Sequence, residues 1–216
     1  MLTLLILGAQ TALWYGPLTV SFDQRFDGNP YDPLASDVRV VFRTTGGTTE
    51  RRVAFWTGES WKAVLLSRKP GRYTATLEKN GQPVSAKPQV VELSRRAKAT
   101  FVKAGGPWGL QDQTGKTYWP IGHNIGWAAN QETVPFMLKR LGRAGGDWAR
   151  IWACHWDGKN PWWPYGDQPQ VPIGHLSEPV LRKWDEIVAA AASSGVRFQL
   201  VLFHHGPWSS RVNSNW

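Results

Sequence analysis

The hydrophobic positions of this chain follow two different periods, one on each side of residue 100. From Leu18 to about Leu93, short runs of alternating apolar and polar residues end at Gly, Pro, Asn and Asp, which is typical of antiparallel strands. Asn80-Gly81 stands between two such runs and indicates a β-hairpin. Strands at this spacing, with no helical period, predict a compact β-sandwich with Tyr73 packed in its core.

Beyond residue 100 the pattern alternates between strands and helices. The run "ETVPFMLKRLGRAGG" has its apolar residues on one helical face, and "SEPVLRKWDEIVAAAASSG" predicts a helix capped by Ser177 and ended by Gly195. "DWARIWAC" and "VRFQLVLFHHG" predict strands, the second buried on both faces of a parallel sheet. The segments after the strands are long and rich in Trp, His, Asn and Pro, as in a (β/α)-barrel. A first short strand is predicted in "YWPIGHNIGW". A doubly wound sheet would also alternate, but "GHNIG" is too short and has the wrong spacing for the glycine-rich phosphate fingerprint that follows the first strand there.

Composition narrows the classes of partner. The net charge is +9, but the basic residues are scattered, so we expect a solvated basic surface and no nucleic-acid partner. A basic surface-binding protein is the rival class, and salt-sensitive retention on heparin or DNA would support it.

The single cysteine, Cys154, excludes an internal disulfide and is expected to be a small buried residue rather than a nucleophile. Most of the fourteen tryptophans follow residue 100, which favours flat binding surfaces.

Residues 1–16 contain an apolar run, "MLTLLILGAQTA", that is too short to span a bilayer. The run has the apolar and small-residue parts of a secretory signal without the basic start. A first β-strand is the other interpretation. We expect a truncated export signal, and therefore a secreted or cell-envelope (extracytoplasmic) protein with no membrane insertion.

Several motifs resemble those of carbohydrate-active enzymes. The segments "NPYDPLASDVRVVF" and "VAFWTGESWKAVLLSRKPGRYTATL" resemble an N-terminal β-sandwich module of unknown function that precedes glycosidase barrels. "FVKAGGPWGLQDQTGKTYWPIGHNIGW", "DWARIWACHW" and "LVLFHHGPWSSRVNSNW" resemble the first three strands of an apiosidase-like (β/α)8-barrel glycoside hydrolase. The expected fold class is therefore multidomain, β plus α/β. An Ig-like β-sandwich covers residues 17–96, and the first three βα units of an incomplete TIM barrel cover residues 97–216.

The resemblance implies a glycoside hydrolase that cleaves the O-glycosidic bond of a poly- or oligosaccharide. Such enzymes need two carboxyl groups flanking the bond, and in the resembling barrels these are glutamates on the fourth and seventh strands. We therefore expect the catalytic glutamates downstream of residue 216, no catalytic residue within this chain, and no activity of the chain by itself. Asp157 and Asp167 are the acids expected on a loop after a strand, where simple solvation is favoured. A non-catalytic carbohydrate-binding or scaffold protein is the alternative.

The candidate substrate contacts lie at or beyond the ends of the predicted strands. Asn124 is either a hydroxyl partner or a turn residue. By resemblance Arg150 braces a catalytic carboxylate, and it shares parity with two tryptophans of its strand; an outward arginine paired with a helix is the alternative. The resemblance also implies that His205 binds sugar hydroxyls while His204 packs behind it. The predicted substrate-binding residues are Asn124, Trp127, Arg150, Trp152, Trp156, His205 and Trp208.

We predict neither a cofactor nor a metal. The adjacent His204 and His205 raise the question of a metal site, but the chain has no spaced set of Cys and His ligands. Amidohydrolase barrels place His-x-His on their first strand, and "GHNIG" lacks it. A carbohydrate substrate is the expected partner. Trp162 and Trp163 add further indole faces to the loops beyond the strand ends, and indole faces can stack against sugar rings. No sequence signal points to an oligomeric state.

Overall fold

The computed structural model describes residues 13–96, 101–105, 109–125, 133–154, 158–162, 171–172 and 174–202. The chain divides into two compact units, one within Met1–Trp119 and the other within Pro120–Trp216. Strands alone build the described part of the first unit, and strands with helices build the second. Among the described residues, no helix is long and apolar enough to cross a membrane.

Two antiparallel sheets form most of the first unit. Its strands are β1 (Tyr15–Phe22), β2 (Val38–Thr44), β3 (Thr49–Val53), β4 (Phe55–Trp56), β5 (Trp61–Ser67), β6 (Gly71–Lys79), β7 (Gln82–Pro83), β8 (Gln89–Leu93), β9 (Val102–Ala104) and β10 (Leu110–Asp112). One sheet has the order β1-β5-β4, and the other has the order β3-β2-β6-β7 with β8 also paired to β6. The short strands β9 and β10 pair with each other.

Both sheets contribute to one apolar core. On β5 the buried residues Trp61, Ala63 and Leu65 alternate with half-exposed ones, as the two-residue period of a strand requires. Phe42 and Tyr73 of the other sheet are fully buried in the same cluster, which confirms the predicted position of Tyr73. The predicted hairpin is also confirmed. Asn80 and Gly81 have φ angles of 51° and 76°, and they join strands β6 and β7, which pair in antiparallel register.

A polar network connects the two sheets at the edge of this core. The buried hydroxyl of Tyr73 lies 3.1 Å from Ser67 Oγ and also contacts the carbonyl of Lys69. Ser67 in turn donates to the carboxylate of Glu50, which also accepts from Arg52. Because Glu50 lies on β3 and Ser67 on β5, this chain of hydrogen bonds connects a strand of each sheet.

The second unit is an open parallel sheet with helices on one face. Its elements are β11 (Gly122–Ile125), α1 (Val134–Arg143), β12 (Trp148–Trp152), α2 (Glu178–Ser193) and β13 (Arg197–Val201). The strand order is β11-β12-β13, and both pairings are parallel. The buried residues Leu138 of α1 and Ile187 of α2 pack with Ala149 and Ile151 of β12, so the two helices cover the same face.

Both predicted helices are present, and the second has its predicted residues at both ends. The Thr133 hydroxyl accepts the N–H of Phe136 at 3.4 Å at the start of α1. Ser177 occupies the cap position of α2, as predicted, but its side chain makes no capping hydrogen bond. Gly195 follows α2 with a φ of 69°, a left-handed conformation that glycine adopts without strain.

The predicted fold class, an Ig-like β-sandwich joined to the first three βα units of an incomplete TIM barrel, is wrong. The described residues are mostly β-sheet, with two helices, three parallel strands in an open sheet, and no barrel. The expectation that the third strand is buried on both faces is also wrong, because Gln199 is exposed and Leu200 is 43% exposed. Alternating strands and helices predict a parallel sheet, but closure depends on strand number and stagger, which no local pattern encodes.

Gly122 sets the close approach of β11 and β12. A Cβ atom built on Gly122 would lie 1.5 Å from the carbonyl oxygen of Trp148, a backbone atom that cannot rotate away. No residue with a side chain fits there unless the two strands separate. Glycine is therefore a packing requirement of this strand pair.

Tyr73→Phe should lower the free energy of unfolding by about 1–2 kcal/mol, because the hydrogen-bonding groups of Ser67 and Lys69 lose a buried partner. Urea unfolding followed by tryptophan fluorescence measures the change. Thr74→Val is the matched control, since Thr74 is exposed on the same strand and loses only a solvated hydroxyl. Equal stability of Tyr73→Phe and the wild type would contradict a structural role of the network.

Gly122→Ala should lower the free energy of unfolding by about 2–4 kcal/mol, because the new methyl group forces β11 away from β12. Hydrogen–deuterium exchange should rise in peptides that cover β11 and β12. Gly46→Ala is the control, because a Cβ there meets only the Thr44 hydroxyl, at 3.9 Å. Unchanged exchange in β12 would show that the strands accommodate the side chain.

Candidate functional site

The face of the parallel sheet opposite the helices carries a row of polar side chains. Asn124 pairs in register with Arg150, and Arg150 pairs with Gln199. Because paired residues of a parallel sheet point to the same side, the three side chains form a line across β11, β12 and β13. All three residues are exposed.

Two tryptophans flank the central residue of this row. Trp148 and Trp152 lie two positions before and after Arg150 on β12, and the burial of this strand alternates as a two-residue period requires. The guanidinium carbon of Arg150 lies 5.8 Å from the centre of the Trp152 ring, within range of a cation–π interaction. The face therefore combines five N–H donors of a guanidinium, two side-chain amides and two half-buried indoles.

Asp147 links the starts of the three strands beneath this face. Its carboxylate accepts the N–H of Ile121 at 2.8 Å, and its own N–H donates to the Ile121 carbonyl at 2.8 Å. The N–H of Arg197, at the start of β13, donates to the Asp147 carbonyl at 2.9 Å. Asp147 therefore has a structural part in aligning the strands that carry the polar row.

The segment after β12 contains buried polar residues that sequence reasoning missed. Lys159 is 1% exposed and Asn160 is 3% exposed, although both stand in a loop. The Asn160 side chain accepts the N–H of Trp162 at 2.9 Å, and the carbonyl of Lys159 accepts the indole N–H of Trp184 at 2.8 Å. The signal in the sequence is the tripeptide "GKN", which places Lys and Asn between tryptophans in the Trp- and Pro-rich loop.

Cys154 precedes this segment, is fully buried and forms no disulfide. The expectation of a small buried cysteine is therefore confirmed. Its carbonyl accepts the N–H of Lys159 at 3.2 Å.

The structure describes some of the predicted site residues and not others. Asn124, Arg150 and Trp152 lie on one face of the sheet, with Asn124 directly beside Arg150. His123 pairs with Ala149 and so lies on the opposite side, with its Nδ1 atom 2.8 Å from the Asn124 carbonyl. Their roles in binding stay predictions. The following candidates lie outside the described residues: Trp127, Trp156, Asp157, Trp163, Asp167, His204, His205 and Trp208.

Carboxyl groups are absent from the described part of the polar face. The strand positions on this side carry Gly, Asn, Trp, Arg, Gln and Val.

In the first unit, the Thr114 hydroxyl donates to Asp112 at 2.6 Å and lowers the pKa of that carboxyl. Proton donation near neutral pH needs a raised pKa, so Asp112 is unsuited to act as a general acid. Within the described ranges, no three His, Cys, Asp or Glu residues lie close enough to hold a metal ion.

The comparisons with known proteins concern the fold. No protein-family model and no curated protein matches the sequence. The chain is similar to the crystal structure of a "putative glycoside hydrolase" from Bacteroides vulgatus, with a TM-score of 0.64 and 16% identity over 88% of this chain. It spans 40% of that protein's length. At this identity the likeness shows a shared fold and leaves activity open.

A second structure carries no argument about the fold. It is a family 39 glycoside hydrolase from Bacteroides cellulosilyticus, with 11% identity over 86% of this chain and 31% of that chain, and its TM-score is 0.22. No family or sequence match supports the finer resemblance to apiosidase-like barrels or to their N-terminal module. What the comparisons support is a general structural likeness to a protein described as a "putative glycoside hydrolase".

Proposed function

We propose that this chain is part of a glycoside hydrolase that acts on an O-glycosidic bond of a poly- or oligosaccharide. The observation that carries the proposal is the row of Asn124, Arg150 and Gln199, flanked by indoles on the sheet face opposite the helices. The fold shared with a protein described as a "putative glycoside hydrolase" agrees with it. The proposed partner is a carbohydrate, and the proposed location is extracytoplasmic.

The chemistry of the row suits a sugar ring. A hydroxyl group both donates and accepts, and the side-chain amides of Asn124 and Gln199 offer one acceptor and two donors each. Arg150 between them adds donors only. Indole faces such as that of Trp152 stack against the apolar C–H side of a ring, while the polar row binds its hydroxyls.

Arg150 has a second part in the proposal, as a positioning residue for a carboxylate. Glycoside hydrolysis requires two carboxyl groups, and the described part of this face has none, so they must come from other residues of the protein. A guanidinium binds a carboxylate through two parallel hydrogen bonds and keeps it ionised. Trp127, Trp156, His205 and Trp208 are proposed as further substrate contacts.

Assays of the full-length protein encoded by the gene test the activity. Aryl glycosides and a panel of plant and microbial polysaccharides serve as substrates, and released reducing sugar is the readout. We expect hydrolysis of at least one substrate by the full-length protein and none by the 216-residue chain alone. Binding of a glycan without any release of reducing sugar would instead support a non-catalytic carbohydrate-binding protein and overturn the proposal.

Arg150→Gln in the full-length protein should lower kcat/KM by about a hundredfold or more, because one charged hydrogen-bonded contact in a transition state contributes on this scale. The pH profile separates positioning from a general loss of structure. An ionised carboxylate loses activity as the pH falls through its pKa, and removal of the neighbouring cation raises that pKa. The acidic limb of the profile should therefore move to higher pH by about one unit.

Arg182→Gln is the matched control for this substitution. Arg182 is an exposed arginine on α2 whose guanidinium lies 3.9 Å from Glu178, and such a pair contributes little to stability. Its pH profile and kcat/KM should equal those of the wild type. An unmoved acidic limb in Arg150→Gln would show that Arg150 faces no catalytic carboxylate.

A further inference from the structure

A pocket in the first unit lies outside everything proposed for the parallel sheet. It has a volume of about 380 Å³ and is lined by Arg25, Phe26, Asp27, Pro30, Trp56 and Trp61. Small-ligand pockets occupy roughly 300–1,000 Å³, so one ring of a ligand fits. We propose that this pocket binds a single neutral sugar residue of a glycan, as a binding site without chemistry of its own.

Three aromatic rings form the walls of this pocket. The Trp56 and Trp61 rings have centroids 5.5 Å apart at an interplanar angle of 55°, and the Phe26 and Trp61 rings are 6.0 Å apart at 46°. Trp61 is buried in the core, whereas Phe26 and Trp56 are half-buried and keep part of their surfaces open. A buried indole thus supports two partly open rings, which suits stacking against the C–H face of a sugar.

Charged groups of both signs stand at the rim. The guanidinium carbon of Arg25 lies 5.7 Å from the centre of the Trp56 ring, and the Lys79 ammonium lies 4.6 Å from the centre of the Phe26 ring. Asp27 is exposed and lines the same pocket. Sugar hydroxyls donate to a carboxylate and accept from a guanidinium at the same time. A purely apolar ring would form no hydrogen bond with the Arg25 guanidinium or the Asp27 carboxylate. An anionic ligand would be repelled by the Asp27 carboxylate.

The segments that carry these residues are held by their own hydrogen bonds. In the loop after β1, the Asn29 side chain accepts the N–H of Tyr31 at 3.0 Å, and the N–H of Ser36 donates to the Asp32 carbonyl at 2.8 Å. In the turn between β4 and β5, the N–H of Thr57 donates to the Ser60 carbonyl at 3.0 Å. The walls therefore exist before a ligand arrives, which lowers the entropy lost on binding.

The aromatic and polar groups of the pocket point to a sugar by themselves, and the choice of a glycan over a free polyol rests on the proposed function. A glycan unit held away from the reacting bond would keep the polymer on the enzyme. Such contacts raise the local concentration of substrate without touching the chemical step. The pocket would thus lower KM on polymers while leaving kcat on short aryl glycosides unchanged.

The test measures glycan binding by the 216-residue chain. The probes are cellohexaose, xylohexaose, mannohexaose and laminarihexaose, titrated against tryptophan fluorescence and by calorimetry. We expect at least one probe to bind, and Trp56→Ala to weaken that binding about tenfold or more. Asp27→Asn, which keeps the shape of the side chain, should also weaken it. Arg182→Gln, which changes an exposed arginine of α2 that does not line the pocket, should bind as the wild type does, so losses confined to Trp56→Ala and Asp27→Asn assign the signal to the pocket.

Phe55→Ala is the matched control for Trp56→Ala. Phe55 neighbours Trp56 on β4, is 49% exposed and does not line the pocket, so its removal should leave the affinity unchanged. Circular dichroism verifies the fold of each variant, and Asp27→Asn decides the matter if Trp56→Ala unfolds. The proposal that the pocket binds a sugar would be overturned if none of the four hexaoses bound, or if Phe55→Ala lost as much affinity as Trp56→Ala. Binding of indole or phenol without any hexaose would overturn the ligand class.

The outcomes for the pocket and for the proposed hydrolase are independent. If the full-length protein hydrolyses a substrate but no hexaose binding depends on Trp56, the proposed sugar site is wrong and the proposed hydrolase stands. If hexaose binding depends on Trp56 but no substrate is hydrolysed, the proposed sugar site stands and the proposed hydrolase is wrong.

Discussion

In a parallel sheet, residues that pair across neighbouring strands point to the same side, and this constraint gives the second unit its two unlike faces. The helices take the side that carries Ala149 and Ile151, because burying those residues stabilises the unit. Every second residue must then lie on the other side, whatever its polarity. Asn124 and Arg150 form a row for this reason, and glycine at position 122 permits the close approach of their strands.

The first unit uses its core in a comparable way. Trp61 is buried, and it holds Trp56 and Phe26 at the boundary between core and solvent. Their open surfaces have a defined position because the ring behind them cannot move without disturbing the core, which is close-packed. The network from Tyr73 through Ser67 connects a strand of each sheet at the edge of the same core. The ring that packs in the core thus also supports the wall of the pocket.

Local signals predicted the elements well and their assembly poorly. Asn80-Gly81 and Gly195 act through their own backbone angles, so the sequence around them suffices to place a turn or a helix end. The absence of a barrel from the described residues and the burial of Lys159 depend on neighbours far along the chain. The pocket was missed for the same reason, since residues 25–30 meet residues 56–61 only after β1 has paired with β5.

That last pairing has a consequence for synthesis on the ribosome. β1 ends at Phe22, and β5, which pairs with it from Phe22↔Trp61 to Tyr15↔Ser67, begins at Trp61. At translation speeds of roughly 5–20 residues per second, the nascent β1 waits about 2–8 s for that partner. During this interval its backbone N–H and C=O groups are open to other extended chains. The order in which the strands emerge therefore leaves β1 exposed to such pairing until β5 has been synthesised.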